Sequence, residues 1–350
     1  MGIRLGTAAA ILLLVYAGAA GAAGNKATSW AAPQIRAVTS AGVMSPSDPA
    51  TFRPDDTLTA QALEDLVFGL KQTLLTTTTT TTSAVTVANG DRPVTMARLD
   101  ARLVQALGLA KAAQEFAAGA RAAGLQVPSR FGTEVAARLL GLRTNHPASQ
   151  DALELRPTDN ATRAEAAYSA AKALTFSGWQ VATVQSLADT FALPALSDWQ
   201  RLILNTAVGR IGMPYVWGGV SDTTETEFGV TARGGYDCSG FVWRVYKLAT
   251  YAGEGSLAST LRGRTTYQMS GEVPRAQRVP LAQLQPADVL FFGANGPHSQ
   301  PSQVGHTGIY VGNGWFIHSS GYGVALAPLT GWYRDEFAWG RRPLREAGLG

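Results

Sequence analysis

The chain contains one cysteine, Cys238, in the run Tyr236-Asp237-Cys238-Ser239-Gly240-Phe241. Two of its four histidines, His306 and His318, lie downstream on a stretch that reads as a β-hairpin. A thiol, then an imidazole on a later strand, then a second polar group is the order a thiol hydrolase needs. After Cys238 the apolar residues Phe241, Val242, Val245, Leu248 and Ala249 recur at helical spacing, which places the cysteine at a helix start. Asp237 or Ser239 can serve the first turn there. Unpaired amides and the positive end of the helix dipole stabilise a thiolate, and a nearby imidazolium lowers the thiol pKa further. Cys238 is therefore expected to ionise near neutral pH, with its own backbone amide as an oxyanion donor. The competing reading is an inert buried cysteine packed as a small hydrophobe.

His306 is the expected general base, taking the thiol proton and later protonating the leaving amine. His318 is expected to hold the His306 ring in its useful tautomer. This sets a condition on the hairpin. A two-residue loop at Asn313-Gly314 would pair His318 with Ile309 and turn it away from His306. A three-residue loop, Gly312-Asn313-Gly314, with Gly314 left-handed and a bulge, restores a common face, and that offset is expected. His306, His318 and Asp288 offer three ligands to zinc. Asp288 instead reads as the cap of a turn leading into the buried strand Val289–Phe292, so no metal and no cofactor are expected. His298, in a polar loop, and His146 both read as solvated. Tyr215 carries an apolar body and a hydroxyl and fits either core or cleft wall.

The elements that must position these groups fit a chain of 350 residues, long enough for two domains. Only 15% of residues are charged and the net charge is +4, with no dense Lys/Arg run, so nucleic acid is not an expected partner. Arg4 is followed by an uncharged Ala/Leu/Gly-rich stretch from Leu5 to Gly24. Its small-residue end favours a cleaved signal peptide, residues 1–23, over an uncleaved anchor. An exported chain with no membrane span after signal removal is expected. Residues 27–176 carry three weak repeats, each with a loop holding Pro and Asp and a Thr that can cap the next helix. The loops are Phe52-Arg53-Pro54-Asp55-Asp56, Asp91-Arg92-Pro93-Val94-Thr95 and Arg156-Pro157-Thr158-Asp159. Glu165 follows Thr162 by three residues, as in a capping box. The threonine run 76–82 reads as an exposed loop. Residues 177–197 read as a linker with some helix of its own.

Thr162-Arg163-Ala164-Glu165 matches the typical motif of S-layer homology (SLH) repeats, and residues 27–176 resemble that family. The resemblance implies an all-α repeat domain that binds a secondary cell-wall polymer, with Arg163 meeting the anionic glycan. As an alternative, the same residues serve as caps and helix faces in a spacer domain.

Residues 198–345 resemble the NlpC-type cysteine peptidases of bacterial cell walls. Four blocks in order carry the resemblance: Gly212-Met213-Pro214-Tyr215-Val216-Trp217-Gly218-Gly219, Asp237-Cys238-Ser239-Gly240-Phe241, Leu284-Gln285-Pro286-Ala287-Asp288-Val289-Leu290-Phe291-Phe292, and Gly305-His306-Thr307-Gly308-Ile309-Tyr310-Val311-Gly312 with Phe316-Ile317-His318. It implies an α+β, papain-like domain with the nucleophile at a helix start against an antiparallel sheet. It also implies Tyr215, Asp237 and Ser239 in substrate binding, and cleavage after γ-D-glutamate in peptidoglycan stem peptides. The insertion Val220–Tyr236 and the stretch Thr250–Arg264 depart from the family pattern and are expected to narrow the cleft. The rival of another class is a structural wall or surface-layer protein whose inactive domain only binds glycopeptide.

Overall fold

The computed structural model describes residues 29–46, 48–74 and 85–350; residues 1–23, read as a signal peptide, and the threonine run 76–82 lie outside them. The first half is helical: α1 (Ala32–Ser40), α2 (Ala60–Leu74), α3 (Met96–Ala106), α4 (Ala110–Ala122), α5 (Phe131–Leu139) and α6 (Arg163–Leu174). The three repeat loops meet in a closed ring. Leu58 N–H donates to the Ala161 carbonyl (2.8 Å), Ala161 N–H to Val94 (2.8 Å), and Val94 N–H to Leu58 (3.0 Å). All three side chains are buried at the centre of this ring. Each loop ends in a threonine whose hydroxyl accepts an amide of the following helix: Thr59 from Ala62, Thr95 from Arg98, Thr162 from Glu165. Thr162 therefore caps α6, but no reciprocal capping box forms. Glu165 is instead buried in a charged cluster with Arg143 and His146, where desolvation raises its carboxyl pKa.

That cluster corrects the reading of His146 as solvated. Its ring is buried, with Nδ1 2.9 Å from Glu154 Oε1 and the Trp30 indole edge-on at 4.5 Å. Burial alone pulls the imidazole pKa down, but the Glu154 hydrogen bond and charge outweigh it and the net shift is upward. Asp100, Glu134 and Arg138 are buried beside it, with Arg138 3.0 Å from Glu134. A cluster of mutually compensating charges leaves no trace in hydropathy, because each member reads singly as a surface residue.

Residues 177–197 form α7 (Trp179–Asp189) and then seat Phe191 edge-on between Phe116 of α4 and Trp315, at 5.3 and 5.1 Å. The stretch is thus packed, and one apolar core runs from Ala31 through it to Leu344. Helix α8 (Asp198–Val208) opens the second half, with a capping box between Ser197 and Gln200. The inserted stretch makes two small ribbons, β1 (Val220–Ser221) with β4 (Gly235–Tyr236) and β2 (Glu225–Glu227) with β3 (Val230–Ala232). Helix α9 (Cys238–Trp243) follows, continued by a π-helical turn over residues 244–248. It packs on an antiparallel five-stranded sheet of β5 (Val289–Gly293), β6 (Val304–Gly312), β7 (Trp315–Ser320), β8 (Gly323–Pro328) and β9 (Phe337–Arg341). The strand order is β8-β7-β6-β5-β9. The chain is α+β, helices first and sheet last. Among the described residues no helix is long and apolar enough to cross a membrane.

Candidate active site

Cys238 is the first residue of α9 and Asp237 its N-cap, the Asp237 side chain accepting the Gly240 N–H. The amide of Cys238 itself opens the helix and has no helical acceptor. Gly240 is required by a close approach: a Cβ there would lie 2.0 Å from the Gly219 carbonyl oxygen, so the two glycine-bearing motifs lock together.

His306 lies on β6 and His318 on β7, with Nε2 of His306 2.9 Å from Nδ1 of His318 and the rings nearly perpendicular. The hairpin meets the common-face condition by a different device from the one expected. Asn313 and Gly314 are both left-handed (φ 49° and 78°), making a two-residue turn flanked by Gly312 and Trp315. The bulge sits on β6 at Val311, where the register shifts between Tyr310 and Gly312. Ile309 consequently pairs with Ile317, and His318 comes beside Gly308, on the face that His306 shares. A Cβ on Gly308 would stand 2.8 Å from the Ile317 carbonyl oxygen and 3.0 Å from His318 Cβ. The glycine is what lets the two imidazoles lean together.

With Nε2 of His306 engaged by His318, Nδ1 is the nitrogen left for the thiol. Cys238 at the start of α9 packs against β6, and the backbone amides of Ser239 and Thr307 act on its thiol. Both amides lower the thiol pKa, as does Arg264. Desolvation and the Asp237 charge outweigh them and push it up to about 12. Burial likewise pushes His306 down to about 4, and burial together with the neighbouring His306 holds His318 well below the ordinary histidine value. This corrects the expectation of a thiolate near neutral pH. Cys238 and His306 are both half-buried, and the partial desolvation that comes with packing against the sheet favours the neutral form of each.

A cleft of about 410 Å3 opens over Cys238. Tyr215 lines it half-buried, its hydroxyl pKa raised by desolvation and then by Cys238. Asp237 and Ser239 line it too, both tied to a residue with no sequence signal, Arg264. One guanidinium nitrogen of Arg264 donates to Ser239 Oγ (2.6 Å) and Asp237 Oδ1 (3.1 Å), the other to Asp237 Oδ2 (3.1 Å) and the Gly218 carbonyl (2.8 Å). Arg264 ends the Thr250–Arg264 stretch and so brings that insertion into the site. The Val220–Tyr236 insertion brings Phe228, left-handed (φ 49°) at the tip of the β2–β3 ribbon and 80% exposed, to the cleft wall. Trp217, 55% exposed, joins it. From the repeat half, buried Asp151 accepts the Trp217 N–H at 2.8 Å, and Arg138 donates to the Gly212 carbonyl at 2.7 Å. The expectation that the two insertions narrow the cleft pointed to the segments holding Phe228 and Arg264 but not to these residues, and neither they nor Asp151 sit in a periodic pattern or a motif.

Asp288 caps the turn as expected, accepting the Gln285 N–H at 2.8 Å, and pairs with Arg342. It precedes β5, whose far end, Phe292, is the part that pairs with His306. Among the described residues no group of three or more His, Cys, Asp or Glu is arranged to hold a metal ion. His298 is exposed. In the repeat half, Arg163 donates to the Phe52 and Ser45 carbonyls and stacks 4.4 Å over the Phe52 ring, which ties α6 to the first repeat loop.

Residues 212–342 match the model of the NlpC/P60 family, and residues 24–59 that of the S-layer homology domain. A γ-D-glutamyl-L-lysine dipeptidyl-peptidase of Bacillus cereus is 32% identical over 156 residues, covering 43% of this chain and 37% of the relative. A murein DD-endopeptidase of Escherichia coli is 32% identical over 119 residues, covering 34% of this chain and 35% of the relative. A solved NlpC/P60 family protein from Bacillus cereus aligns at 26% identity and a TM-score of 0.32, covering 44% of this chain and 42% of that one. The chain spans about a quarter to two-fifths of the length of the curated relatives it matches. Two family models thus match this chain in order, the S-layer homology domain near its N-terminus and the NlpC/P60 family in its C-terminal half.

Proposed function

We propose that residues 198–345 form a cell-wall hydrolase domain that cleaves an amide bond in peptidoglycan stem peptides, of the D-glutamyl–diamino acid type. The observation that carries this is the 2.9 Å contact between His306 and His318 beside a cysteine at a helix start. As Cys238 Sγ attacks the scissile carbonyl, the thiol proton passes to His306 Nδ1, and the imidazolium is held through Nε2 by His318. The oxyanion meets the Cys238 amide. His306 then protonates the leaving amine, giving a thioester, and takes a proton from the water that hydrolyses it. The neutral resting pair means that proton transfer accompanies attack.

The repeat domain is proposed to anchor an exported protein to a secondary wall polymer, with Arg163 on that surface. Support comes from the S-layer homology match and from the three-loop ring. Among named relatives the bond differs, a γ-D-glutamyl-L-lysine bond in one and a DD bond in another. Mass spectrometry of defined muropeptides after digestion identifies it here. Cys238→Ala is expected to abolish cleavage while the chain still sediments with isolated walls, and not with walls stripped of secondary polymer. Undiminished cleavage by the variant would refute the mechanism.

The raised thiol pKa favours one second reading, a site that binds glycopeptide without cutting it. Wild-type protein that retains muropeptides and leaves them intact is the outcome that supports it.

A further inference from the structure

The proton ledger of the two imidazoles reaches one residue beyond His318. Nδ1 of His318 faces His306, and its other nitrogen, Nε2, lies 3.4 Å from the hydroxyl of Tyr333. His318 is 2% exposed, and Tyr333 is the one protein hydrogen-bond partner of Nε2 among the described residues. Tyr333 belongs to the short helix Trp332–Asp335 before β9, and its ring packs edge-on against His318 and Phe316 at 5.0 and 4.9 Å. The chain His306–His318–Tyr333 can be protonated in two senses. If Tyr333 donates to Nε2, His318 carries its proton on Nδ1 and donates to His306 Nε2. The single proton of a neutral His306 then sits on Nδ1, the nitrogen left for the thiol, which has no lone pair to accept with. If Tyr333 accepts from Nε2–H, His318 Nδ1 accepts from His306 Nε2–H, and His306 Nδ1 is bare. Only the second sense makes His306 a base, and only that sense accommodates the imidazolium after proton transfer.

We propose that Tyr333 is a positioning residue that acts as a hydrogen-bond acceptor for His318 Nε2–H and so holds His306 in its basic tautomer. The inference rests on the Cys-His-His reading above. Tyr333 is half-buried, so its own hydroxyl proton can be given to water while the oxygen accepts. The 3.4 Å separation is long for such a bond, and catalytic hydrogen bonds of this kind commonly tighten in the transition state. Without the hydroxyl, a proton on buried Nε2 has no partner, and the equilibrium moves it to Nδ1.

The test is Tyr333→Phe in the full chain, which keeps the ring and its packing. Long-range 1H–15N spectra of histidine-labelled protein read the tautomers directly and without substrate. We expect Nε2–H at His318 in the wild type and a shift toward Nδ1–H in the variant. Muropeptide kcat/KM is expected to fall about tenfold in the wild-type background and to be unchanged when Tyr333→Phe is added to His318→Ala. Nδ1–H at His318 in the wild type overturns the inference, and so does an equal loss in both backgrounds. Because the spectra need no turnover, an enzyme that cuts no muropeptide would defeat the functional reading and leave the tautomer result to stand or fall by itself.

Discussion

Cys238 sits under opposing influences: a helix start and two amides that favour the anion, against desolvation and a neighbouring carboxylate that disfavour it. Desolvation wins, and it acts on His306 in the direction that also favours neutrality. The sign of the pH dependence follows. His306 is neutral, and so able to accept a proton, at any pH above its depressed value of about 4, while Cys238 keeps its proton to about 12. The kcat/KM profile is therefore expected to stay level from about pH 5.5 upward through neutrality and to fall only as pH drops toward 4. An acid limb centred on the ordinary histidine value would show the ring to be hydrated in the working enzyme. Cys238, His306 and His318, the proposed nucleophile, base and orienting residue, were all singled out by the sequence because each lies in a contiguous motif. Their charge states were not, since burial is a property of the sheet and not of the motif.

At the scale of elements, two insertions and one hairpin do the positioning. The common face of His306 and His318 followed from counting, but not its means, because a turn of Asn313-Gly314 and a bulge at Val311 reach the same offset as a three-residue loop. Gly308 is the sensitive point of that hairpin. Gly308→Ala puts a methyl 2.8 Å from the Ile317 carbonyl oxygen and 3.0 Å from His318 Cβ. Relief requires β7 to move, so a loss of roughly 1–3 kcal/mol in stability is expected. The His306–His318 contact should be lost as well. Denaturant unfolding measures the first effect, and kcat/KM, expected to drop as far as in His318→Ala, measures the second. A variant as stable and active as wild type would show that the strands yield without cost. Arg264 and Phe228 escaped sequence reading for one reason: each stands at the end or tip of an insertion, where nothing nearby in the chain specifies what it will touch.

At the scale of the molecule, the two halves share one apolar core and several polar ties. Phe116 and Phe191 cover Trp315 of β7, Arg138 holds the Gly212 carbonyl, and Asp151 holds the Trp217 amide beside the cleft. A fragment beginning at Asp198 loses all of these and uncovers the Trp315 indole. Its Tm is expected to lie well below that of the peptidase half in the full chain, with a red-shifted tryptophan emission. A KM for muropeptide raised by the freed Trp217 segment is expected too. Equal Tm and KM for fragment and full chain would mean that the repeat half lies against the peptidase half without supporting it. A change of pattern led to the expectation of a boundary between the halves at residues 177–197. Their union was not legible, because it is made by Phe191 in a stretch that reads as linker and by charges that read as surface.

The ring of three amides also fixes what this architecture can become. An open stack of repeats grows or shrinks by one unit, since each copy leans only on its neighbours. Here the Leu58, Val94 and Ala161 amides close a cycle, each loop completing the one before it. A fourth copy has no place to enter, and two copies leave an amide and a carbonyl facing nothing. Gain or loss of a single unit would break this ring, so the three units are expected to stand or fall together.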